Sequence, residues 1–154
     1  MLTDQEKREI DEELLKYDRK RAAAPETLKI VQKYRGWISN ESLDDIARYL
    51  DMTTHELDSV ATCYNLIFRK PVGRHIILIC DSVSCWIMGY EQVLSHINRR
   101  LGVDLGQTTS DRRFTLLPVA CLGACDKAPA MIIDNDLHVE LSPTKVDEIL
   151  DGYR

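Results

Sequence analysis

Arg74-His75-Ile76-Ile77-Leu78-Ile79-Cys80-Asp81-Ser82-Val83-Ser84-Cys85, residues 74–85, joins an unbroken apolar run to a C-x4-C pair. A continuous run from Ile76 to Cys80 is the pattern of a short strand buried on both faces, with His75 opening it. Phe114 to Val119 repeats the pattern and is followed at once by Cys121 and Cys125, a C-x3-C pair. Between the two runs, Tyr90, Val93, Leu94, Ile97 and Leu101 fall on one helical face, and Gly102 is placed to end that helix. Two strands separated by a helix predict a right-handed crossover between parallel neighbours. Parallel neighbours would release both cysteine pairs at the same end of the sheet.

Downstream, Ala130 to Ile133 and Leu137 to Leu141 flank Asp134-Asn135-Asp136, whose residue types favour a turn, so a hairpin is expected. Ser142-Pro143 supplies an N-cap and a first-turn proline for a last helix carrying Val146, Ile149 and Leu150. The order strand, helix, strand, hairpin, helix describes a small mixed sheet covered by helices, between the α/β and α+β classes.

Upstream, Pro71 and Gly73 punctuate the chain, and the periodicity changes. Residues 1–70 read as a helical bundle and residues 71–154 as the sheet domain. Thr3-Asp4-Gln5-Glu6 is a capping-box pattern opening a helix with Ile10, Leu14, Leu15 and Tyr17 on one side, expected to stop near Ala22 to Ala24. Pro25 suits the first turn of a second helix, bearing Leu28, Ile30, Val31 and Tyr34, which Gly36 ends. A third runs from about Ser42 to Leu50 with Leu43, Ile46, Ala47 and Leu50 at helical spacing. Thr53-Thr54-His55-Glu56 opens a fourth with Leu57, Val60 and Ala61. Nothing in the bundle carries chemistry, so its expected use is packing against something.

The 154 residues are 44% hydrophobic, enough for one medium domain or two small units. A formal net charge of -5 without a basic stripe argues against a general nucleic-acid binder. No apolar run approaches the roughly 20 residues that span a bilayer, so membrane association is expected only through a partner. Met1 to Arg21 interleaves acidic and basic residues with no apolar core, unlike a secretory or transit peptide, and a cytosol-facing bacterial protein is expected. In that compartment five cysteines read as metal ligands or reactive thiols rather than as a disulfide framework.

Four of them, Cys80, Cys85, Cys121 and Cys125, are the candidate ligand set for one [2Fe-2S] cluster, which takes four protein thiolates, two on each iron. The loops Asp81-Ser82-Val83-Ser84 and Leu122-Gly123-Ala124 are mostly small or turn-forming, leaving backbone N–H groups free to face sulfur. Gly123 is expected to allow close approach, while burial by Trp86, Ile87 and Met88 and the charge of Lys127 would tune the centre. Structural zinc also takes four cysteines, though its knuckles favour C-x2-C. A thiol-disulfide enzyme would want C-x-x-C, and inert buried cysteines account poorly for two turn-rich pairs. No histidine receives a ligand role: His75 opens a strand, and His55, His96 and His138 are expected on partly exposed faces. No catalytic residue is assigned.

The segments Ile30-Val31-Gln32-Lys33 with Gly36-Trp37, Val60-Ala61-Thr62-Cys63-Tyr64 with Phe68, and Pro71-Val72-Gly73-Arg74-His75 carry a resemblance over nearly the whole chain. It continues through Cys80-Asp81-Ser82-Val83-Ser84-Cys85, Gly106-Gln107-Thr108-Thr109 and Cys121-Leu122-Gly123-Ala124-Cys125-Asp126-Lys127-Ala128-Pro129. The chain resembles the E subunits of bacterial respiratory complex I, NADH:quinone oxidoreductase, which are thioredoxin-like [2Fe-2S] ferredoxins with a helical N-terminal extension. That resemblance implies a thioredoxin-like sheet domain and the four cysteines as cluster ligands. It also implies a helical extension packed on a neighbouring flavin subunit that holds FMN and binds NADH. In agreement, this chain has no G-x-G-x-x-G after a strand and no P-loop. Cys63 departs from the family, which commonly has an aromatic residue there; it is read as a small buried helix residue rather than a fifth ligand or redox sensor.

The expected role is a one-electron carrier: the partner's flavin takes a hydride from NADH and releases electrons singly, one of which this centre holds. The alternatives are the equivalent subunit of a soluble NAD-linked hydrogenase or formate dehydrogenase, and a zinc-stabilised interaction module without redox chemistry.

Overall fold

The computed structural model describes residues 1–153 and divides into two compact units, Met1–Pro71 and Val72–Arg154. Each is built around its own apolar cluster.

The first unit is helical: α1 (Asp4–Leu14), α2 (Ala24–Arg35), α3 (Asn40–Tyr49) and α4 (Thr54–Cys63). Thr3 and Thr53 form the capping boxes that open α1 and α4, each side chain accepting from the N–H three residues on while that residue's glutamate reaches back. Gly36, with φ of 78°, ends α2 in a conformation that other residues adopt only with strain. Ile10, Leu28, Val31, Ile38, Leu43, Ile46 and Leu57 form the core. The exit segment is pinned through Gln32, which accepts from the Phe68 N–H at 2.6 Å and donates to the Leu66 carbonyl at 2.8 Å. Arg69 donates to Asp58 and Asn40, at 2.8 Å each, and to the Ile38 carbonyl.

The first helix stops at Leu14, not near Ala22 to Ala24, and a separate short 3₁₀ turn spans Lys20–Ala23. Leu15 is 88% exposed, so past Leu14 the chain has no apolar face to bury. The last turn tightens through bonds from Lys16 N–H to the Glu13 carbonyl and from Tyr17 N–H to the Leu14 carbonyl.

The second unit runs β1 (His75–Cys80), α5 (Val83–Ile87), α6 (Tyr90–Leu101), β2 (Phe114–Val119), β3 (Met131–Ile133), β4 (Asp136–His138), α7 (Pro143–Gly152). The sheet order is β2-β1-β3-β4: β1 is parallel to β2, with Cys80 opposite Val119, and antiparallel to β3, which pairs with β4. Ile77 and Ile79 of β1 join Val93 and Ile97 of α6 and Val146 and Leu150 of α7 in one core with Phe114, Leu116, Met131 and Ile133. Gly73 lies so close to β2 that a Cβ there would sit 2.8 Å from a Phe114 backbone carbon. The hairpin turn is shorter than its residue types suggest, because Asp136 already pairs with Ile133, and Leu141 lies beyond the strand. Asp134, at φ of 55°, turns the chain, its carboxylate bonding the Ile76 N–H at 2.9 Å and His75 Nδ1 at 2.7 Å.

Candidate metal centre

Because β1 and β2 are parallel and in register, their carboxyl ends lie side by side, and each is followed by a cysteine pair. Cys80 is the last residue of β1; its N–H bonds the Ala130 carbonyl at 3.1 Å, and the next N–H, of Asp81, bonds the Val119 carbonyl at 3.0 Å. Cys85 lies on α5, which follows Ser82, so its segment is a helical turn and not the loop expected from Asp81-Ser82-Val83-Ser84. Cys121 follows β2, and Cys125 opens a 3₁₀ turn, Cys125–Lys127.

The thiols stand two by two. Cys80 and Cys85 lie in one small buried cluster, and the Cys121 and Cys125 sulfurs are 3.8 Å apart. The pairs also act on one another, for charge at Cys80 works to raise the Cys125 thiol and charge at Cys125 works to raise Cys85. Gly123 N–H donates to Cys121 Sγ at 3.3 Å, and Cys80 Sγ lies 3.6 Å from Ser82 Oγ. Among the described residues, no three His, Cys, Asp or Glu side chains form a group suited to one metal ion.

Environment divides the pairs. Cys80 and Cys85 are buried in a small cluster with Ala128 and Ala130, whereas Cys121 and Cys125 are exposed. Burial chiefly, and then the neighbouring Cys80, push the Cys85 thiol up to about 11. Burial also acts to raise Cys80, but hydrogen bonds from the Ser82 N–H and hydroxyl, from Cys85 and from the Leu122 N–H outweigh it and bring the thiol below its ordinary value. Cys125 is raised by its hydrogen bond with Cys121 and by the charge there.

Two expectations need correction. Trp86, Ile87 and Met88 are 58%, 70% and 61% exposed and bury nothing; α5 turns only Cys85 inward. Gly123, with φ of 77°, takes the left-handed conformation that favours glycine while its N–H faces Cys121 Sγ. Cys63 is exposed, since α4 packs through Leu57 and Ala61 and a residue two beyond Ala61 points to the other side. The Ser82 hydroxyl beside Cys80 Sγ was not foreseen, although a hydroxyl two residues after the first cysteine of a C-x4-C pair was a signal for it.

No helix among the described residues is long and apolar enough to cross a membrane. Over 153 residues the chain is 49% identical to the E subunit of the NADH-quinone oxidoreductase of Pseudomonas aeruginosa, covering 99% of this chain and 92% of the relative. The E subunit of the same complex from Escherichia coli is 47% identical over 149 residues, 97% of this chain and 90% of its own length. Among solved structures, the air-oxidised NAD+-reducing [NiFe]-hydrogenase superposes with a TM-score of 0.71 at 23% identity, a likeness of fold covering 82% of this chain and 22% of that one. The family model for thioredoxin-like [2Fe-2S] ferredoxins matches residues 10–154. With strand ends, paired thiols, family model and near-full-length relatives in agreement, the chain belongs to the thioredoxin-like [2Fe-2S] ferredoxins, among the E subunits of NADH-quinone oxidoreductases.

Proposed function

We propose that this chain is the one-electron carrier subunit of an NADH:quinone oxidoreductase and that Cys80, Cys85, Cys121 and Cys125 hold its single [2Fe-2S] cluster. The observation that carries the reading is the pairing: one thiol pair follows each of two parallel, neighbouring strands at the same end of the sheet, with the Cys121 and Cys125 sulfurs 3.8 Å apart, and this suits a group with two metal atoms taking two thiolates apiece. When bound, the cluster supplies a place to store one electron without a proton. The residues supply the rest. Gly123 directs its N–H at Cys121 Sγ and the Ser82 hydroxyl lies beside Cys80 Sγ, and such donors favour negative charge on the thiolates. Cys80 and Cys85, at the buried end of the central strand, keep water from one side, while Cys121 and Cys125 face outward.

In this reading FMN and the NADH site belong to the adjoining subunit, on which the helical unit packs, and the assembly lies on the cytoplasmic side of the membrane. The names of the relatives favour quinone as the final acceptor over hydrogenase or formate chemistry, because identity near one half over the full length outweighs a likeness of fold.

The test is an EPR spectrum of the anaerobically purified, chemically reduced chain with iron and sulfide assays. A spin-half [2Fe-2S] signal with equal iron and sulfide, abolished when any of the four cysteines is changed to alanine, is expected. Stoichiometric zinc, with no iron taken up on anaerobic reconstitution, would overturn the assignment in favour of a structural module. Co-purification with a hydrogen- or formate-oxidising subunit would overturn the quinone reading alone.

A further inference from the structure

Holding a cluster does not require the two cysteine pairs to differ in exposure, yet they do. Cys80 and Cys85 are free thiols sealed among Ala128 and Ala130, 2% and 1% exposed. Cys121 and Cys125 are exposed with sulfurs 3.8 Å apart, and a disulfide closes at about 2.05 Å, so each sulfur has only about 1 Å to travel. Small residues, Gly123 and Ala124, lie between them, and open space surrounds the position of a Gly123 Cβ, which leaves the segment room to tighten.

We propose that in the chain without its cluster Cys121 and Cys125 are a modification site, closed to an internal disulfide by a small-molecule disulfide such as oxidised glutathione. Cys80 and Cys85 stay reduced. One thiol of the exposed pair loses its proton to solvent and attacks a glutathione sulfur, forming a mixed disulfide and releasing one glutathione thiolate. The second thiol, deprotonated in turn, attacks the protein sulfur of that mixed disulfide and releases the other glutathione. Two protein thiols are oxidised and one glutathione disulfide is reduced to two thiols. A closed pair cannot bind iron, so the bond has to be reduced before the site is filled; this consequence rests on the ligand assignment above.

The experiment exposes the full cluster-free chain, kept anaerobic, to oxidised glutathione, unfolds it, alkylates the remaining thiols and digests it with trypsin. The peptide from Phe114 to Lys127 contains both exposed cysteines. It should lose two hydrogens and refuse alkylation, reverting with dithiothreitol, while Cys80 and Cys85 take the label. Cys125→Ser should leave a glutathione adduct fixed on Cys121, because no second thiol releases it. Stable adducts on both Cys121 and Cys125 of the unaltered chain, or bridges through Cys63, Cys80 or Cys85, would overturn the proposal. Offered iron and sulfide without reductant, the closed chain should take up at least tenfold less iron than the reduced chain. Equal uptake by both would overturn the loading consequence. A bond that forms in a chain whose reduced state never accepts a cluster would instead refute the ligand assignment and leave the modification site standing.

Discussion

Replacing Glu6 by glutamine should remove much of the stability of the helical unit, and should do so only above a definable pH. Glu6 is 1% exposed, and its carboxylate takes a two-pronged bond from Arg35, Nε at 2.7 Å and Nη2 at 2.8 Å, while also accepting from Thr3 N–H at 2.7 Å. Arg35 chiefly, opposed by burial and assisted by Thr3, draws the Glu6 carboxyl down from 4.5 to about 2. At about 1.4 kcal/mol per tenfold in proton affinity, that depression corresponds to roughly 3 kcal/mol of folding stability. Between those two values the unfolded chain binds more protons than the folded one. The contribution is therefore complete above about pH 4.5 and disappears as pH falls through about 2. Glu6→Gln keeps the shape but leaves Arg35 without its anion. With Trp86→Phe in the background, Trp37 is the sole tryptophan and reports on the helical unit during urea unfolding. The Glu6→Gln midpoint at pH 7 should be lower by roughly 2 M, for a slope of about 1.5 kcal/mol per molar, and the gap should close towards pH 2. A cost below about 1 kcal/mol at pH 7, or a gap that stays constant down to pH 2, would refute the reasoning.

Two glycines should fail for different reasons. Gly73→Ala pushes a methyl group against the Phe114 backbone and should cost about 2 kcal/mol or more in urea unfolding, whereas Gly123→Ala meets no obstacle and should cost about 1 kcal/mol for its positive φ alone. His75→Ala removes the partner of Asp134 at the hairpin turn. Hydrogen exchange at the Ile76 amide, which donates to the same carboxylate, should speed up several-fold, consistent with about 1 kcal/mol of local stability. Cys63, being exposed, should react with iodoacetamide in the native chain while Cys85 resists, and Cys63→Ser should change stability by less than about 0.5 kcal/mol in thermal unfolding.

Much of this could be read from residues alone where burial and spacing act together. The runs 76–80 and 114–119 read as strands and emerged paired, parallel and adjacent, but 114–119 lies at the sheet edge and is buried only from Phe114 to Leu116. The capping boxes at Thr3 and Thr53, the proline and glycine punctuation of α2, and the glycine after α6 each fix a chain end by local chemistry, and all were legible. The end of α1 was not, because Leu15 and Tyr17 continue the apolar spacing while the fold offers nothing to cover Leu15. Helix α5 was missed since five residues with one inward side chain carry no periodicity to detect. At the candidate site the cysteine spacing disclosed which thiols meet. It could not disclose that one pair is sealed and the other open, because Trp86, Ile87 and Met88 look like cover and are not.

The place of β1 in the sheet also governs when the site comes into being. Translation delivers β1 first, then β2 along one of its edges, while the other edge waits for Met131–Ile133. A nascent chain that has reached Ala130 therefore carries all four thiols of the candidate site but holds Cys80 on a strand with one bare side, and it lacks α7 against the core. For the interval until β3 and α7 leave the ribosome, the four thiols exist without their final positions. Whatever fills the site has its proper target only once β3 and α7 are in place.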